Sequence, residues 1–131
     1  MPHLAIDLNF TPPAEARRRL GHAFVRRFSE VLDTGTDHVG VIVRCHTEDD
    51  LVFGRAGPGG RIAFVNADIR LGRTKDQKRR LALAFIEEVH SHLGVPEKAV
   101  YVVYTEHDGE HFQLEERVLP SWSAGEDPLA D

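Results

Sequence analysis

A proline stands at position 2, directly behind Met1. Its small ring is of the kind that permits removal of an initiator methionine, and removal leaves a secondary amine whose geometry the ring fixes. An α-amino group titrates at about 7.7–8.0 in model peptides, and burial beside cations favours its neutral form. A neutral Pro2 nitrogen can take a proton from carbon next to a carbonyl and return it elsewhere, which is keto–enol tautomerisation by one acid–base group. A protonated Pro2 would instead act as an acid. The second chemical feature is the segment Ile69-Arg70-Leu71-Gly72-Arg73-Thr74. Two guanidiniums flank a glycine that permits a tight turn, and Thr74 opens a helix whose N-terminal amides also favour anions. Arginine matches a carboxylate through paired hydrogen bonds, so Arg70 and Arg73 are the expected carboxylate binders.

The other polar groups point to no cofactor and no metal. His90 and His92 are two apart on a helix and do not share a face, and His107 and His111 flank a turn. Cys45 reads as a small apolar side chain. The stretch Gly54 to Gly60 lacks the Lys-Ser/Thr of a phosphate loop and reads as a connection. The chain has 131 residues, 41% hydrophobic and 28% charged, which fits one folded domain. With 16 Lys and Arg against 21 Asp and Glu, its net charge is −5, which argues against nucleic acid as a partner. Its apolar runs are far below the roughly 18 residues of a membrane span. The start lacks a basic then apolar leader and the single cysteine has no internal partner, so a cytoplasmic protein is expected.

The elements that position these residues emerge from a repeat at an offset of 61. Arg18-Arg19-Leu20 with Ala23-Phe24 falls on Arg79-Arg80-Leu81 with Ala84-Phe85, and Leu4 to Leu8 falls on Val65 to Ile69. Leu20, Phe24, Phe28 and Val31 recur every three or four residues, as do Leu81, Phe85, Val89 and Leu93, which predicts two amphipathic helices. Thr11 ahead of Pro12-Pro13 reads as a cap for the first helix, and Thr74 with Gln77 as a capping box for the second. The result is an α/β (α+β) chain: one domain of two right-handed βαβ units, about 2–45 and 62–106, with a C-terminal hairpin and tail. Leu51-Val52-Phe53 reads as a short extra strand, and Asp108-Gly109 as a hairpin turn. The four-stranded core sheet carries both helices on one face. Its nearly all-apolar strands, Val39–Val43 and Ala99–Tyr104, need cover on the other, which three protomers around an axis would supply. The same offset sets Arg70 against Asn9 and Arg73 against Pro12, so only the second unit has a cationic pair.

Met1-Pro2-His3-Leu4, the doubled unit, the Arg70/Arg73 segment and Leu93-Gly-Val-Pro-Glu97 before Val100–Tyr104 resemble the tautomerase superfamily, which includes 4-oxalocrotonate tautomerase and macrophage migration inhibitory factor. The resemblance spans residues 2 to about 119. It is nearest the branch of cis-3-chloroacrylic acid dehalogenase and malonate semialdehyde decarboxylase. It implies a tautomerase/MIF-like fold, a homotrimer without cofactor, Pro2 as the catalytic acid–base and Arg70 with Arg73 on a small 2-oxo or 2-hydroxy unsaturated carboxylic acid. Decarboxylase or hydratase/dehalogenase action on three-carbon acids, or a non-catalytic trimeric binding protein, are the alternatives. In dehalogenases of the branch a histidine lies late in the first helix, where this sequence has Glu30, which counts against hydration by that route. Their active-site tyrosine falls on Val103 with Tyr104 next to it, and their water-positioning carboxylate on Leu114 with Glu115 next to it. Tyr104 is carried as a substrate-binding candidate and Glu115 as a further one. Asp37 lies near the aspartate that the decarboxylase branch has before its second strand.

Overall fold

In the computed structural model, which describes residues 2–119, both halves follow the same order. The first gives strand β1 (His3–Leu8), helix α1 (Ala14–Leu32) and strand β2 (Gly40–Cys45). The second gives β3 (Ala63–Arg70), α2 (Lys75–Leu93) and β4 (Val100–His107). Adding 61 to the bounds of α1 gives those of α2, and both helices have 19 residues. Each βα turn reverses the chain so that the next strand returns parallel: β1 pairs β2 and β3 pairs β4 in parallel. The two units meet through β1 and β3, which run antiparallel, so the order across the sheet is β2-β1-β3-β4.

That meeting has an internal two-fold character. Ala5 pairs with Asn66 across β1 and β3, and these positions are themselves 61 apart. Above them Phe24 and Phe85, again 61 apart, stack with ring centroids 4.2 Å apart and planes 11° from parallel. Further along the helices Arg27 donates to the buried Glu88 at 3.0 Å, a third pair of equivalent positions. The core lies between helices and sheet, where Leu4, Ile6 and Leu8 of β1 and Val65, Ala67 and Ile69 of β3 meet Leu20, Phe24, Phe28, Leu81, Phe85 and Val89. Burying each such large side chain contributes about 1.5–3 kcal/mol. The opposite face of the sheet is covered by neither helix, and there Ile42, Tyr101 and Val103 are 41–50% exposed.

Local details agree in part with the sequence reading. Thr74 caps α2 in a complete capping box with Gln77, and Gly94 closes it with a left-handed φ of 70°. By contrast Pro13, not Thr11, occupies the N-cap of α1, without a side-chain hydrogen bond, because the helix begins after both prolines. Leu51–Phe53 forms no strand. Its side chains rather than its backbone are used: Leu51 is buried, and Phe53 packs at 5.5 Å against both Phe64 and Tyr101. After β4 the chain makes a 3-10 turn over Gly109–His111, and the antiparallel reversal comes later, at the Gln113–Val118 bridge. The tail from Ser121 to Asp131 lies outside the described residues.

Candidate active site

The topology brings the starts of β1 and β2 and the ends of β3 and β4 to one end of the sheet, with His3 opposite Gly40 and Asp68, and Arg70 opposite His107. Pro2 sits at this end, buried, its carbonyl accepting from Gly40 N at 3.1 Å. It lines a cavity of about 490 Å³ together with His3, His38, Asp68, His107, Phe112 and Leu114, among others. His107 Nε2 and Asp68 Oδ1 are 2.7 Å apart, and Asn66 Nδ2 donates to the other oxygen of Asp68 at 3.0 Å. His38 Nε2 lies 3.3 Å from Glu116 Oε1, while its buried Nδ1 has no hydrogen-bond partner among the described residues.

The same end carries the cations. Arg70 is the last residue of β3 and only 1% exposed; Arg73 follows the turn and is 5% exposed. Gly72 takes a φ of 124°, a backbone that side chains rarely adopt, and this turn delivers both arginines to one place. Arg73 lies over the Phe28 ring at 5.9 Å. Burial, then the charge of Arg70, pulls the Arg73 guanidinium down to about 9, so it stays charged at neutral pH at a cost. Burial, then the charge of Arg117, lowers Arg70 in turn. The Arg117 guanidinium nitrogens are buried without a hydrogen-bond partner among the described residues. Three like charges thus lie close to one another in a desolvated setting. The arginines stand at the sheet end beside the Pro2 cavity and are not part of its lining.

The structure thus brings Pro2, Arg70 and Arg73 to one end of the sheet. Tyr104 lies on the helix-facing side of β4, where its hydroxyl donates to the Lys78 carbonyl at 2.7 Å and burial pushes its phenol above the ordinary range. Asp37 is exposed in the turn before β2 and outside the cavity lining. Glu115 is exposed, whereas its neighbour Leu114 lines the cavity. Among the described residues one group, Asp108, Glu110 and His111, has ligand-type atoms within 4.8 Å of one another, and all three are exposed. No described helix is long and apolar enough to cross a membrane.

Sequence reasoning missed Arg117 and the Asp68–His107 pair. Arg117 follows the repeated elements, where periodicity says nothing. The pair did leave a signal: Asp7 and His46 fall on Asp68 and His107 at the same offset of 61, and Asp7 Oδ1 with His46 Nε2 also stand at 2.7 Å.

The doubled βαβ unit, with two helices on one face of a four-stranded mixed sheet, is the tautomerase/MIF-like fold. Residues 64–119, most of the second unit and the segment after it, match the family described as Tautomerase enzyme. A member of the cis-3-chloroacrylic acid dehalogenase family superposes with a TM-score of 0.80 at 25% identity, over 91% of this chain and 84% of that one. A fused 4-OT solved as a symmetric trimer gives 0.79 at 24% identity, over 94% and 98%. A malonate semialdehyde decarboxylase inhibited by 3-bromopropiolate gives 0.74 at 24% identity, over 85% and 87%. No curated protein matches the chain.

Proposed function

We propose that the protein is a cofactor-independent tautomerase that moves a proton between oxygen and carbon of a small 2-oxo or 2-hydroxy unsaturated carboxylic acid. The observation that carries this reading is the position of Pro2 in a cavity of about 490 Å³ at the sheet end where Arg70, Arg73 and Arg117 converge. Once Met1 is removed, Pro2 presents a secondary amine to the cavity. Burial and the nearby cations weaken the amine's hold on its proton, so Pro2 can take a proton from carbon in one direction and give one to carbon in the other. The guanidiniums hold the carboxylate and stabilise the charge that builds toward the dienolate oxygen. Three protomers around an axis would cover the sheet face that bears Ile42, Tyr101 and Val103; sedimentation of a monomer at micromolar concentration would contradict that assembly.

The test uses protein shown by intact mass to lack Met1, assayed with phenylenolpyruvate and 2-hydroxymuconate, beside Pro2→Ala. Turnover by the processed protein and a loss of about 10²–10⁴ in kcat/KM for the variant are expected. Equal kcat/KM in both would remove Pro2 from the mechanism. Turnover confined to malonate semialdehyde or a 3-haloacrylate would replace base catalysis with acid catalysis by protonated Pro2.

A further inference from the structure

The cavity holds a second group able to transfer protons. His107 shares the lining with Pro2, and its Nε2 lies 2.7 Å from the Asp68 carboxylate. A neutral imidazole that donates from Nε2 to a carboxylate has its lone pair on Nδ1, so the contact selects the tautomer and orients the base. The ring is further fixed by edge contacts with Phe112, centroids 5.6 Å apart, and His111, 6.2 Å apart. Asp68 is occupied otherwise only by the neutral amide of Asn66 among the described residues. At the equivalent Asp7, Arg44 closes a bidentate contact at 2.9 and 3.0 Å, so a guanidinium already compensates that carboxylate. Both duplicated pairs persist, but only the second faces a cavity headed by proline.

We propose that His107, oriented by Asp68, is the second acid–base group of the Pro2 cavity. The inference rests on the tautomerase reading and assigns the oxygen end of the reaction. In the direction from enol to ketone, His107 Nδ1 takes the proton of the 2-hydroxyl. The O–H electron pair becomes the carbonyl π bond, and the alkene π pair takes a proton from the Pro2 ammonium. The imidazolium then returns its proton through solvent to the neutral amine, so the step is an isomerisation without net proton uptake. The cavity's other titratable groups are His3 of β1, His38 ahead of β2, Asp68 of β3 and His111 after β4.

Processed wild type, His107→Gln, Asp68→Asn, His46→Gln and Pro2→Ala are compared for kcat and its pH profile with phenylenolpyruvate. His107→Gln keeps a side-chain amide to donate to Asp68 and should lose about 10²–10⁴ in kcat together with one limb of the profile. Asp68→Asn should lose less and shift that limb, as expected of a positioning residue, and His46→Gln should change neither. Independently of turnover, the NMR ring signals of His107, and not those of His46, should move when wild type is saturated with phenylpyruvate. If Pro2→Ala is inactive while His107→Gln keeps both kcat and profile, the inference falls and the tautomerase reading stands. If Pro2→Ala is fully active while His107→Gln fails, the role of the proline falls and that of His107 remains. A protein without turnover whose His107 signals also stay still overturns both.

Discussion

The two ends of the sheet were built by the same repeat and have become different objects. At one end Asn9 is buried and spends its amide on the chain, donating to Gly60 O at 2.9 Å and accepting from Ile62 N at 2.8 Å, which pins the loop before β3. At the other end its equivalent is the buried Arg70. Pro12 and Ala56 occupy the positions equivalent to Arg73 and Arg117 at the offset of 61. The cationic trio therefore has no counterpart at the equivalent positions of the first end, and the cavity beside Asn9, about 390 Å³, carries Glu48 and Asp49 in its lining. Architecture alone does not make a site, since both ends share strand ends, a βα turn and an Asp–His pair. What distinguishes the second is the desolvated positive charge beside a proline that heads a strand.

The two halves should respond alike where they share a core. Phe24 and Phe85 face each other across the internal two-fold, so truncating either to Ala should cost a similar amount, about 3–5 kcal/mol, in urea unfolding. A large difference between the two would mean that the halves do not share one core. They should differ at their helix starts. Thr74→Ala removes a working cap and should cost about 0.5–2 kcal/mol, whereas Thr11→Ala, at a helix whose cap is Pro13, should change the unfolding midpoint by much less. The smallest effect belongs to Asp7. Burial pushes its carboxyl up, but hydrogen bonds from Arg44 and His46 outweigh this and hold it below its ordinary value. A folded pKa below the unfolded one gives stability that is full above the unfolded value, about 3.9, and is lost as pH falls through the folded one. The stability difference between wild type and Asp7→Asn, measured by denaturant titration, should therefore shrink as pH falls below about 4; a difference that grows would reverse the assignment.

Much of the fold was legible because periodicity is local: the 3.6-residue spacing of Leu20, Phe24 and Phe28 and its copy at Leu81, Phe85 and Val89 fix two helices and the face each buries. The offset carried the strands with them. Pro2 and the Arg70/Arg73 turn could be read because a terminal amine and paired guanidiniums are chemically distinctive at their positions. Leu51–Phe53 misled because three apolar residues do not reveal whether backbone or side chains will be used. The side of β4 that Tyr104 occupies depends on strand parity, which one residue inverts. Arg117 reaches the site only through the reversal after β4, a contact between distant segments for which the sequence holds no period.

Arg73→Ala tests most directly whether the cations of the second unit hold a substrate carboxylate, as proposed. Processed wild type and variant are assayed on an enolised 2-oxo acid and on its neutral ester, with circular dichroism verifying the fold. A hydrogen bond to a charged group contributes about 1.5–3 kcal/mol, so the variant should lose about ten- to two-hundred-fold in kcat/KM on the acid and much less on the ester. Equal losses on both, or no loss on either, would make the arginines structural and contradict the assignment.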